Sequence, residues 1–260
     1  MPKSSAFGNV VRPKSADELF SLLVSDSLIG GRTVRMWRGQ ENSSWQLHST
    51  AYRRLLLSDK PVTEAEIQRY EVKLLARATH RGFRSSDTGQ LSDLELLARL
   101  QHHGAATRLM DFTRSAMVAL WFATRAAFDV DGMLIGVHTD HLGGYEGEPN
   151  AKSYEEIFSS LVKYDLKHSQ TWEPSAVSAR VAAQQSQFLY SPIVSLPSGS
   201  LAIEKPEHLL CFEISGEMKG EVQKVLTSLF GIHHTSLFPD LDGFGYANSF
   251  RFEQYANSRW

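Results

Sequence analysis

Cysteine is nearly missing from this chain. Cys211 is the single one in 260 residues, so no intramolecular disulfide can form. No long apolar run is present either: the richest stretch, Met117 to Phe128, is broken by Thr124 and Arg125 and is too short for a bilayer. With no signal-peptide pattern at the start, these absences lead us to expect a cytoplasmic protein with no membrane association. A strong excess of one charge is lacking as well. The formal charge is −2 and the pI near 6.6, which removes any global attraction to nucleic acid or anionic lipid while allowing a local basic patch. Neither repeats nor low-complexity tracts occur. The sequence contains no Walker phosphate loop, no GxGxxG after a strand, no GxSxG elbow and no HExxH, so the common nucleotide, hydrolase and zinc-protease signatures are excluded.

What is present is an ordinary globular composition, 42% hydrophobic and 10% aromatic, at a length that one large core can serve. Apolar spacing predicts a helix over Ser15 to Leu28 with Ser15 as N-cap, ended by Gly30-Gly31. Alternation predicts a strand over Thr33 to Arg38. Helices follow over Thr63 to Arg81, Asp93 to His102 (stopped by Gly104) and Ser115 to Ala127, the last apolar all round and therefore buried. Asp131-Gly132 turns into a strand over Met133 to His138, and the Gly-rich polar stretch His141 to Ser153 reads as a surface loop. Strands are expected at Gln187 to Tyr190, Ser200 to Ile203 and His208 to Ile214, then a helix from Glu217 to Phe230. Helices dominate the first half and strands the second, without βαβ alternation. The expected class is α+β, a helical N-terminal half packed on a mostly antiparallel sheet. One domain over 1–260 is expected, with an N-terminal helical segment (1–32), a core (33–250) and a tail (251–260).

Chemistry concentrates in four places. Trp37-Arg38-Gly39-Gln40, with Trp45 and Arg53 downstream, puts an arginine at a strand end before a glycine, where its planar fork can meet a phosphate or carboxylate. The plainer alternative is an arginine paired at the core edge. Gln101 to Thr113 gathers Gln101, His102, His103, Thr107, Arg108, Asp111 and Thr113 between two helices, as pockets or internal networks do. There Arg108 and Asp111 are equally readable as a pair that pins the loop. His102, His103 and Asp111 invite a metal reading, but no further ligand follows at metal-binding spacing, and no metal is expected. Arg180, Gln184, Gln185, Ser186 and Phe188 form a third group, in which the two adjacent glutamines are positioned either to orient a ribose or amide or to cap a helix. Asp240 and Asp242 beside Gly243 are too few for a calcium loop, and a turn or helix start after Pro239 is the better reading. Cys211 lies inside an apolar strand, which argues against a nucleophilic thiol.

Together these segments resemble the FRG domain family, named for an aromatic-Arg-Gly motif that stands here as Trp37-Arg38-Gly39. Gln101 to Gly104 and Thr107 to Thr113 look like the family's most specific block, continued by Ala119 to Ala123. Gln184-Gln185 and Leu237 to Gly243 resemble weaker, later blocks. Met110 and Phe112 stand where Leu and Trp are usual, and Ala105-Ala106 lacks the usual Pro. The resemblance implies a bacterial or phage-conflict setting.

An aromatic-Arg-Gly on an early strand is also similar to the first motif of the Arg-Ser-Glu class of ADP-ribosyltransferases. That likeness implies an ADP-ribosyltransferase-like fold and NAD as co-substrate, held by Arg38, Gly39, Gln40, Arg53, Thr107, Arg108 and Thr113. Catalytic roles fall to His103, Asp111, Gln185 and Glu207, although no clean Glu-x-Glu element is present. The function implied is a toxin or phage-defence effector that modifies a macromolecule and is restrained by an antitoxin or immunity partner. Nucleic acid is slightly favoured as acceptor over protein, because the tail Phe250-Arg251-Phe252, Tyr255 and Arg259-Trp260 suits base stacking. Two alternatives stand beside it: a non-enzymatic nucleotide-binding module, and a metal-dependent nuclease built on His102, His103, Asp240 and Asp242.

Overall fold

A computed structural model describes residues 6–25, 35–58, 61–86, 89–145, 153–163, 168–174, 178–203, 205 and 208–249. In chain order its elements are β1 (Val10–Val11), α1 (Ala16–Leu23), β2 (Arg35–Gln40), α2 (Thr50–Leu56) and α3 (Glu64–His80). Then come β3 (Ser85–Ser86), β4 (Gly89–Gln90), α4 (Asp93–His102), β5 (Met110–Thr113), α5 (Ala116–Thr124), β6 (Gly132–His138) and β7 (Gly143–Tyr145). The second half adds α6 (Tyr154–Lys163), β8 (Gln170–Trp172), α7 (Ala179–Ala183), β9 (Ser186–Tyr190), β10 (Leu209–Ile214), α8 (Gly216–Phe230), α9 (His234–Leu237) and α10 (Leu241–Ala247). The fold is α+β.

Eight strands form one mixed sheet in the order β1-β10-β6-β2-β5-β9-β8-β7. Its interior pairs are antiparallel, and only the outer pairs, β1 with β10 and β7 with β8, are parallel. Alternation along each strand sorts side chains by face. Met36, Met110, Phe112, Ile135, Leu189 and Cys211 point to one face, where Phe7, Leu47, Leu201 and Ile203 close over them without a helix. The other face carries two separate helical clusters. One packs α1, α5 and α8 on Leu134, Phe212 and Ile214; the second packs α3, α4 and α6 on Trp172, Phe188 and Tyr190. Strand β5 runs along the seam between them.

Helix α5 lies close to the sheet because two glycines admit it. A Cβ on Gly39 would fall 2.6 Å from Ala123 N and also overlap Ala119 O, and Gly132 faces the backbone of Ala123 in the same way. Apolar on every side, α5 buries Val118, Ala119, Leu120, Trp121 and Ala123. Each large side chain so enclosed contributes about 1.5–3 kcal/mol. Helix α4 starts with a capping box in which Ser92 and Glu95 satisfy each other's backbone N–H groups.

Several expectations are corrected. Ser200 to Ile203 is not a strand: the N–H groups of Ser200 and Leu201 both turn to Leu47 O, and Ser169 donates to Ala202 O. The glycines read as surface loop form β7, whose Gly143 and Gly144 allow the side chain and backbone of the adjacent β8 to lie directly against them. Most importantly, the Gln101 to Thr113 block, read as a pocket lining or internal network between two helices, contains β5, the strand that joins the two halves of the sheet. Gly30-Gly31, residues 146–152, Glu207 and the tail from Phe250 lie outside the described residues.

Candidate functional site

Strand β2 makes six register pairs with β6, from Arg35 opposite His138 to Gln40 opposite Met133, but only one with β5, Trp37 opposite Thr113. Beyond that pair the two strands part, and the sheet opens at the seam between the helical clusters. A cavity of about 640 Å³ occupies the opening, within the roughly 300–1,000 Å³ typical of small-ligand sites.

Arg38 bridges the gap. Its Nη1 donates to the backbone oxygen of Asp111 at 2.7 Å, where ladder bonds would otherwise run. Among the described residues the same guanidinium keeps Nε buried and without a partner, and the nearby Gln40 leaves Oε1 in the same state. Unpartnered buried polar atoms are costly and rare, and in a cavity wall they mark where a ligand's own polar groups belong. Desolvation lowers the Arg38 pKa, Asp111 opposes that fall and Arg53 adds to it. Arg53, exposed at the cavity, makes no side-chain hydrogen bond or ion pair among the described residues.

The rest of the lining divides by chemistry. Phe122 and Phe238 supply aromatic walls, and Trp45, 46% exposed, stands at the mouth. Arg125 is neutralised by Glu41 at 2.6 Å, while Arg180 grips Asp240 through Nε and Nη2, both at 2.7 Å. Asp111 presents an exposed carboxylate whose Oδ1 accepts from Gln101 Nε2 at 2.6 Å. Gln101 in turn accepts the Thr107 hydroxyl. Four arginines and two carboxylates therefore line one cavity, and two of the arginines have no carboxylate partner.

The residues singled out from sequence separate into two groups. Arg38, Gly39, Gln40, Arg53, Asp111 and Thr113 all line the cavity. Gly39 does so with its missing side chain already claimed by α5, so packing rather than ligand approach requires it. Thr113 is tied down, its hydroxyl donating to Gln184 O at 2.8 Å.

Thr107, Arg108, His103 and Gln185 do not line it. Thr107 is fully buried and braces Gln101 and α2. Arg108 is enclosed in a closed ionic knot rather than paired with Asp111. Its Nε donates to Glu71 at 2.7 Å, Nη1 to Glu64 at 2.8 Å and Nη2 to Tyr154 at 2.6 Å, with the Phe158 ring beneath. Burial lowers the Arg108 pKa, but Glu71, Tyr154 and Glu64 outweigh it and hold the pKa above the ordinary value. His103 is 66% exposed beside Asp242 at 3.2 Å and faces a second cavity. Gln185 holds a left-handed backbone, φ 47°, just past the C-terminal end of α7.

Sequence reasoning gives His102 a part only in the metal readings and gives Arg180 no role of its own, while it reads Gln184 as orienting a ribose or amide or capping a helix; all three line the main cavity. The helix end predicted at His102, beside the polar block, is the signal that could have found it. Asp240 caps α10, in agreement with the expected helix start after Pro239. No group of three or more His, Cys, Asp or Glu residues able to hold a metal ion occurs among the described residues, and no described helix is long and apolar enough to cross a membrane.

No curated protein and no solved structure matches the chain. A family model does: it covers the aromatic-Arg-Gly strand, the Gln101 to Thr113 block and α5, and stops before Gln184 and Leu237. The model is that of the FRG domain, and it matches residues 34–132.

Proposed function

We propose that this domain is an NAD-dependent ADP-ribosyltransferase whose donor site is the cavity at the parted strands. The observation that carries the reading is Arg38: a half-buried guanidinium with a buried, unused Nε, lining the same cavity as the uncompensated Arg53 and the aromatic walls. A ligand that answers all three features is anionic at its centre and planar at its ends, as a dinucleotide is. Arg38 and Arg53 take the pyrophosphate, with the bidentate geometry that guanidinium favours. Trp45 and the phenylalanines take the rings.

Transfer begins with cleavage of the bond between ribose C1′ and the nicotinamide nitrogen, whose electron pair leaves with neutral nicotinamide. Positive charge develops on the ribose, and the Asp111 carboxylate, oriented by Gln101, is the group that stabilises it. An acceptor nucleophile then bonds to C1′ and gives up its proton. Binding and orientation supply much of the acceleration, and no strong base is needed for bond cleavage.

The test is direct. Wild type with NAD and an extract should release nicotinamide and label a macromolecule. Arg38→Ala should abolish both and weaken ADP-ribose binding in calorimetry by at least about tenfold, a loss of roughly 1.4 kcal/mol. Asp111→Asn should bind ADP-ribose normally yet release nicotinamide at least about a hundredfold more slowly. ADP-ribose binding without turnover would replace this reading with a nucleotide-binding module, and neither binding nor turnover would end it.

A further inference from the structure

A second cavity, of about 470 Å³, adjoins the first. Two residues, His102 and Arg180, line both. Arg180 is immobilised: besides its two bonds to Asp240, Nη1 donates to His102 O at 3.0 Å, locking the end of α4 to α7 and α10. His102 is held from the side by Ser178, whose Oγ lies 3.2 Å from Nδ1. With the proton on Nδ1 donated to that hydroxyl, the other ring nitrogen, Nε2, carries the lone pair. It has no partner among the described residues. The two cavities differ in character. The first has aromatic walls and two uncompensated arginines. The second is polar, built from Ser86, Arg99, Ser178 and their neighbours, and among the described residues that line it the only rings are the imidazoles of His102 and His103.

We propose that the second cavity receives a serine or threonine side chain of a protein acceptor, and that His102 is the base that takes its hydroxyl proton during transfer. The inference rests on the donor reading above and names its acceptor. In the step, the acceptor oxygen bonds to ribose C1′ once the bond to nicotinamide has broken, and the hydroxyl proton moves to His102 Nε2. A flipped nucleobase is held between broad rings, whereas the rings here are two imidazoles, one the proposed base and the other 66% exposed beside Asp242; a small polar side chain needs only hydrogen bonds. A base at this point must be unprotonated near neutral pH. Burial lowers the His102 pKa, Arg180 and His103 lower it further, and Asp111 and Asp240 oppose them, the net effect being downward. His103, assigned the proton from sequence, is instead an exposed neighbour beside Asp242.

The experiment uses full-length protein, labelled NAD and an extract. Label should reside in protein, survive ribonuclease, deoxyribonuclease and neutral hydroxylamine, and disappear with protease, as an O-glycosidic bond to a hydroxyl side chain requires. His102→Gln should lower protein labelling by about 10²-fold or more, with ADP-ribose affinity within about twofold of wild type. It should also remove the fall in wild-type labelling seen on acidification below about pH 6.5. Ser178→Ala, which frees the ring to turn, should give a smaller loss in labelling with affinity kept. Label in nucleic acid, lability to hydroxylamine or an unchanged pH profile in His102→Gln overturns this inference while leaving the donor site standing. No nicotinamide release by wild type overturns both.

Discussion

Replacing Gly39 by alanine adds one methyl group at the point where α5 rests on β2. That methyl would sit 2.6 Å from Ala123 N and overlap Ala119 O, both backbone atoms of a helix buried on every side. Ordinary non-bonded contact needs about 3.5 Å, so clearing Ala123 N alone takes about 1 Å and clearing Ala119 O takes more; the helix must retreat by that larger distance or the strand must bend away. Neither can be absorbed by rotating a side chain. Overpacking of this kind costs about 1–3 kcal/mol and sometimes more. Because backbone meets backbone at this contact, we expect the upper end, about 3 kcal/mol. In a chain this size that corresponds to a melting temperature lower by roughly 6–12 °C. Denaturant and thermal unfolding of ligand-free protein measure it directly. The substitution separates two roles for the glycine. A ligand-approach role predicts normal stability with lost binding, whereas a packing role predicts lost stability before any ligand is added. Wild-type stability in Gly39→Ala would refute the close seating of α5 on β2, and with it the cavity wall that this seating forms.

Glu71→Gln should destabilise the fold by about 3–5 kcal/mol, because it leaves Arg108, 1% exposed at the side chain, without its main counter-charge; chemical denaturation at neutral pH checks this. Burial is the leading cause that lowers the pKa of His48, His102 and His234 below the ordinary 6.5. The unfolded chain therefore binds protons more readily than the folded one. Stability should be complete above about pH 6.5 and fall as the pH drops from there toward the folded-state values. Unfolding midpoints that stay flat across that window would contradict the burial of these rings. The Cys211 thiol, buried with its pKa pushed up to about 12, should not react with thiol reagents in the native state and should react fully once unfolded; rapid labelling of native protein would place it at the surface.

Residue spacing and residue type suffice for the local features of this protein. Periodicity locates the helices α1, α3, α4, α5 and α8, and the α+β class follows from their order. The aromatic-Arg-Gly strand and the Gln101 to Thr113 block are legible because their residue types are unusual beside apolar segments. What spacing does not encode is which polar group faces whom. Arg108 and Asp111 are three apart in sequence, but β5 begins between them and alternation sends them to different neighbours, one into the knot with Glu71 and the other into the cavity. Strand β5 itself escapes a reading by pattern because four residues are too short a window for periodicity, and only its partners β2 and β9 make it a strand. The parting of β2 from β5, the partition built from His102 and Arg180, and the packing duty of Gly39 all arise between segments distant in sequence. They emerge only when the chain is packed, since each depends on a distance between backbones that no local pattern specifies.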